Sequence, residues 1–170
     1  MYKNILIIEP FYRGSHQAWA DGYINSSKHN INLIHLSGHY WKWRMHGGAI
    51  TLANIFKNKN YNPDLILATD MLNLPVFKSL VSPRCPIHLY FHENQITYPW
   101  SPNDQDIVLN RDKHYGFINY SSALVADHNY FNSQFHFDSF FIGLEKFINL
   151  FPDHKNIENI DSIKKKSSVL

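Results

Sequence analysis

His92-Glu93-Asn94-Gln95 sets an imidazole, a carboxylate and two amides in a row, directly after the apolar run Leu89-Tyr90-Phe91. Imidazole and carboxylate exchange protons near neutral pH, and amides bridge hydroxyls, so the group suits a general base or a polar clamp on a hydroxyl-rich ligand. His92 and Glu93 are the catalytic candidates, with Asn94 and Gln95 as binding groups beside them. The same side chains can also cap a strand end and bond loop backbone. Adjacent His and Glu are poorly spaced for zinc, no H-E-x-x-H follows, and Cys85 stands alone, so no metal and no cofactor are expected.

Four further groups carry chemistry. Phe11-Tyr12-Arg13-Gly14-Ser15-His16 reads as a turn between strand and helix. Gly14 allows close backbone approach, Ser15 is a plausible helix cap, and His16 is a group that a plain turn does not need. Tyr40-Trp41-Lys42-Trp43-Arg44 interleaves rings and cations, with Trp41, Lys42 and Arg44 suited to RNA bases and phosphates; loop packing explains it nearly as well. Tyr98-Pro99-Trp100-Ser101-Pro102 is stiffened by two prolines, so Tyr98 and Trp100 offer a stacking platform or pack under the loop. Asn132-Ser133 reads as a helix cap or as a ligand contact. No G-x-G-x-x-G and no P-loop are present, and no Ser/His/Asp set is identifiable from spacing.

These groups need a frame. Compact apolar runs at Ile5–Ile8, Ile31–Leu36, Asp64–Thr69, Pro86–Phe91 and Ala123–Asp127 read as strands, and Ser168–Leu170 as the start of one more. Helical spacing covers Ser15–Ser27, Gly47–Phe56, Leu74–Val81, Asp112–Tyr120, Ser133–Leu150 and Asn156–Lys166. Apolar strands alternating with helices imply an α/β fold: a Rossmann-like, doubly wound, mainly parallel sheet covered on both faces. The polar groups follow the strands: Glu9 to His16 after the first, His39 to Arg44 after the second, Asp70 after the third, His92 to Gln95 after the fourth, and His128 to Ser133 after the fifth. Parallel strands all point one way, so these loops converge on one edge, where open α/β sheets bind ligands. Asp70 joins the binding candidates on that ground.

Bulk properties narrow the classes. A chain of 170 residues fits a single domain over 1–170. Hydrophobic content of 44% against 18% charged excludes a disordered chain. A net charge of +2 neither demands nor excludes nucleic acid. Lys164–Lys166 reads as a solvated helix end, where cations complement the dipole. One cysteine permits no intrachain disulfide, no apolar run approaches the ~18 residues of a membrane span, and no signal-peptide core is evident. The expected compartment is the cytoplasm, without a membrane.

Several unusual stretches in order resemble one family: Glu9-Pro10-Phe11-Tyr12, Gly14-Ser15-His16, Trp41-Lys42-Trp43-Arg44-Met45, Ala68-Thr69-Asp70-Met71-Leu72, Tyr90 through Pro102, His114-Tyr115-Gly116-Phe117-Ile118-Asn119, Phe131-Asn132-Ser133 and Pro152-Asp153-His154. Together they are similar to the tRNA-queuosine α-mannosyltransferases, nearly end to end. The resemblance implies the N-terminal, acceptor-side half of a retaining, two-domain GT-B glycosyltransferase that moves mannose from GDP-mannose to queuosine in tRNA. It implies that the Gly14 loop and His92 face the cleft near the transferred sugar, with Glu93 and Asn94 beside them. It also implies a C-terminal, nucleotide-sugar domain that these 170 residues do not hold, so the chain alone is expected to be inactive. The alternatives are a non-catalytic RNA- or carbohydrate-binding module on the same fold and, more remotely, a metal-dependent hydrolase.

Overall fold

The computed structural model describes residues 1–109 and 111–170. Six strands alternate with helices: β1 (Asn4–Tyr12), α1 (Gly14–Ser26), β2 (Asn30–Ser37), α2 (Trp41–His46), α3 (Gly48–Asn58), β3 (Leu65–Thr69), α4 (Leu74–Val81), β4 (Ile87–Phe91), α5 (Gln105–Val108), α6 (Lys113–Val125), β5 (His128–Phe131), α7 (Gln134–Ile148), α8 (Glu158–Lys165) and β6 (Ser167–Val169). The strands form one parallel sheet in the order β2-β1-β3-β4-β5-β6. This is the expected Rossmann-like α/β fold. The chain leaves β1 toward β2, then crosses back to β3 on the other side of β1. The strand order therefore reverses at β1, and a crevice opens at the carboxyl ends of β1 and β3.

Alternation along each strand divides the core in two. Leu6 and Ile8, with Ile66, Ala68, Leu89, Phe91 and Phe131, bury against α3, α4, α6 and α7. Phe91 and Phe131 stack across β4 and β5, 4.8 Å between centroids, and Phe140 of α7 closes on both. Truncating a buried ring of this kind to Ala costs ~3–5 kcal/mol. Ile5, Ile7, Leu67 and Tyr90 face the other way and pack with Trp19, Tyr23 and Ile24 of α1. The second face is thus the thinner one, but it is the one that carries the charged groups described below.

Four local expectations differ from the structure. Ala123–Asp127 is not a strand: α6 runs through Val125, and the fifth strand is His128–Phe131. A short apolar run cannot be told from a buried helix segment by periodicity. What holds it helical is Ser122, whose hydroxyl donates to the Leu72 carbonyl and accepts from the Leu74 amide. Ser15 does not cap α1: Arg13 occupies the cap position without a side-chain bond, and Gly14 follows at φ +56°, a left-handed backbone that favours glycine. Lys166 is not solvated either. Its ammonium donates to the Leu124 and Ala126 carbonyls at the end of α6, satisfying groups that the helix leaves open. The Tyr40–Arg44 stretch, read as a loop, is largely the short helix α2.

Candidate functional site

Strand parity builds the centre of the site. Glu9 continues the Ile5–Ile7 series along β1, so its carboxylate leaves the sheet on the α1 side, and His92 continues the series of Tyr90 on β4. His16 enters from the first turn of α1. The three meet at the carboxyl edge. Glu9 is wholly buried; one oxygen accepts from the Phe11 amide at 2.8 Å, and the other lies 3.1 Å from His16 Nδ1. The ring of His16 rests on that of His92, centroids 4.0 Å apart. Trp19 and Tyr90 wedge His92 from two further sides. Regular β1–β2 pairing breaks between Glu9 and Tyr12, which frees the chain to turn into Gly14.

The electrostatics follow from burial and proximity. Burial alone would lower His16, but the hydrogen bond it donates to Glu9 and the charges of Asp70, Glu9 and Glu93 outweigh it and raise it to about 9. Burial drives His92 down to about 3, helped by the nearby imidazoles of His16 and His136. At neutral pH the pair is therefore one imidazolium and one neutral imidazole. Burial lifts Asp70 to about 7 against the opposing pull of His16, and lifts Glu93 above the usual carboxylate range. Asp70 is anchored by the His92 amide, which donates to it at 2.8 Å. His92 Nε2 is buried with no partner among the described residues, as is Thr69 Oγ1. An unpaired buried polar atom in an active cleft marks a place for a ligand atom or a water.

A shared hydrogen-bond frame fixes the loop after β4. Asn94 accepts from the Ile96 and Thr97 amides and donates to His136 Nε2. His136 is buried, held down to about 4, and hence neutral; its Nδ1–H donates to Asn132 Oδ1 at 2.9 Å. Asn132 donates in turn to the His92 carbonyl. Ser133 accepts from the His136 amide and caps α7, as expected. Asn119, fully buried on α6, accepts from the Gln95 amide and donates to the Asp70 carbonyl, tying the ends of β3 and β4 together.

The candidates divide accordingly. His16, Asp70, His92 and Glu93 form one cluster. Asn94 and Asn132 are engaged in holding the loops that present it. Gly14 and Ser15 stand exposed at the rim of that edge. Glu93 and Tyr98 line two cavities at once. One, of 270 Å³, also holds His92, Asn132, Ser133 and His136; the other, of 290 Å³, is walled by Phe11, Trp41, Met71 and Trp100, with Gln95 inside. Arg44 is turned away from the cluster, bonding the Ser37 carbonyl and hydroxyl. Lys42 bridges Asp104 and Asp106, each at 2.6 Å. That double pairing blunts it as a free phosphate ligand. Glu9, Asn119 and His136 were not among the residues singled out as site groups; the position of Glu9 in the β1 alternation is the signal that points to it.

Glu9, His16 and His92 offer donor atoms within 4.8 Å of one another, the geometry of a three-ligand cation site. A cation there has to displace the His16 proton, which the Glu9 pair holds strongly.

Fold and site together define a Rossmann-like α/β domain with a buried acid–imidazole cluster at the carboxyl edge of its parallel sheet. The chain belongs to the family described as tRNA-queuosine alpha-mannosyltransferase N-terminal, which matches residues 4–170. It is similar to a curated relative, the tRNA-queuosine alpha-mannosyltransferase of Drosophila melanogaster, at 35% identity over 170 residues, covering 98% of this chain and 44% of the relative. The chain therefore spans less than half the length of that relative.

Proposed function

We propose that the chain forms the acceptor-side half of a retaining GT-B glycosyltransferase that transfers mannose from GDP-mannose to queuosine in tRNA. The observation that carries this reading is the cluster at the topological switch point: a neutral, unpartnered His92 imidazole, supported by the His16–Glu9 pair, with Glu93 at its side. Family membership supplies the substrate classes.

In this reading His92 Nε2 bonds a hydroxyl of the transferred sugar. Being neutral, it can donate or accept without adding charge to a transition state that already carries positive character at the sugar. Glu93 faces both cavities and positions the acceptor hydroxyl; as the new glycosidic bond forms the sugar–phosphate bond breaks, and the hydroxyl proton leaves with the departing GDP. The Gly14 loop and Ser15 border the sugar. Asp70, fixed by the His92 amide, balances His16. The nucleotide-sugar is held by a C-terminal domain beyond these residues, so the chain alone binds acceptor but does not turn over. No helix among the described residues is long and apolar enough to cross a membrane, and a tRNA substrate points to the cytoplasm.

The test is to incubate the 170-residue chain with GDP-mannose and queuosine-containing tRNA, scoring tRNA binding and mannose incorporation separately. Binding of the tRNA without incorporation is expected. Incorporation by the chain alone contradicts the division of labour, and absence of tRNA binding contradicts the acceptor role.

A further inference from the structure

The aromatic-walled cavity has no counterpart in the chemistry of sugar transfer. Its walls are Phe11, Trp41, Met71 and Trp100, and its interior polar groups are Glu93 and Gln95. The two indoles meet edge to face, 5.3 Å between centroids, with Tyr115 behind them at 5.1 and 5.6 Å, so they form a rigid corner. Flat π-systems lie well against such corners. At 290 Å³ the space sits at the small end of ligand pockets, ~300–1,000 Å³, which suits one base and not a dinucleotide.

Charge narrows the ligand further. Among the described residues no basic side chain lines the cavity; its charged lining residues are Glu93 and Asp104, and Lys42 already holds Asp104. A phosphate is thus disfavoured here, whereas a flat heterocycle rich in N–H donors, or carrying an amine, is favoured. The second cavity, with His92 and His136, lies across Tyr98 and Pro99, and Glu93 belongs to both. The two spaces therefore adjoin at one carboxylate.

We propose that the Trp41–Trp100 corner seats the 7-deazaguanine base of the acceptor, with Glu93 meeting the cationic amine of the base's side chain and thereby directing that side chain's hydroxyl toward the His92 cavity. This rests on the mannosyltransferase reading for the identity of the base. Gln95 reads the base edge through its amide. Phe11 seals the inner wall and, with its ring edge-on to His16, links the slot to the charged cluster. Guanosine lacks the cationic side chain, so Glu93 is the discriminating group.

The experiment measures binding of the 170-residue chain to two anticodon stem-loop RNAs that differ only in carrying queuosine or guanosine at one position. The wild type is expected to prefer the queuosine RNA by about tenfold or more, the value of one charge-assisted pair. Glu93→Gln, nearly isosteric, is expected to erase that preference while leaving guanosine RNA binding unchanged. Trp41→Ala is expected to weaken both RNAs several-fold, because the ring it stacks is common to them, with Trp41→Phe restoring most of the loss; unchanged circular dichroism confirms folding. A preference that survives Glu93→Gln, or an undiminished affinity in Trp41→Ala, overturns the slot while leaving the transfer reading standing. A wild-type chain that binds both RNAs equally overturns the slot as well. Failure to bind either RNA overturns the acceptor-side reading together with it.

Discussion

His16 and His92 lie ring against ring, 4.0 Å apart, and only His16 has a carboxylate partner. Two imidazoles that close cannot both be charged without cost, and Glu9 decides which one is. The pair thus separates into a fixed cation and a neutral hydrogen-bonding group. His92 stays neutral because it is buried, and the His16 cation beside it adds to the effect. This division leaves His92 as the neutral, hydrogen-bonding member of the pair, and it depends on β1 and β4 presenting the same face to α1.

Stability of the chain is expected to fall between pH 7 and 9. His16 rises from an ordinary 6.5 to about 9 on folding, so the stability it contributes is complete below 6.5 and lost as pH rises through 9. Asp70, moved from 3.8 to about 7, loses stability with the same sign in the lower window. His92, moved from 6.5 to about 3, acts oppositely, losing stability as pH falls through that range. Above pH 7, His16 dominates this cluster, at a magnitude on the order of 2–3 kcal/mol. Urea midpoints measured from pH 7 to 9 check this. His16→Gln flattens the decline; an equal decline in the variant contradicts the charge assignment.

Much of this frame is legible in the sequence. Ile5–Ile8, Asp64–Thr69 and Pro86–Phe91 are apolar runs stopped by turn residues, and the Leu74–Val81 helix has the ends expected of it. Where burial and periodicity coincide, the pattern suffices. It fails at Ala123–Val125, where a Ser122 bond to a carbonyl 50 residues away keeps the chain helical. The strand-end loops were readable as one edge, because parallel topology forces their convergence. The division of labour within them was not. Asn94 and His92 are two residues apart and look alike as polar groups, yet only contact with His136 on α7 shows that Asn94 is engaged. The pairing of Lys42 with Asp104 and Asp106 likewise spans 62 and 64 residues.

Asn119 is expected to be a structural keystone of the site. Asn119→Ala strands the Gln95 amide and the Asp70 carbonyl, both inside the fold, at a cost of about 3 kcal/mol. Chemical denaturation measures it. A loss below about 1 kcal/mol would show that water replaces both bonds.

Lys42 is expected to act on order and not on global stability. The three charged groups are all partly exposed to solvent, and such pairs contribute little to folding. They do fasten the segment carrying Asp104 and Asp106 to α2. Lys42→Met should leave the melting temperature nearly unchanged and speed amide hydrogen exchange over residues 101–109. Unaltered exchange there would mean that the aromatic packing of Trp41, Trp100 and Tyr115 holds the segment unaided.

The most direct test of the account is mannosyl transfer by a full-length family member in which the residue matching His92 is changed to Ala. The account predicts a fall in kcat of about 100-fold or more, with tRNA affinity and melting temperature preserved, because the lost group touches the transferred sugar and not the acceptor. Turnover within twofold of wild type would contradict it.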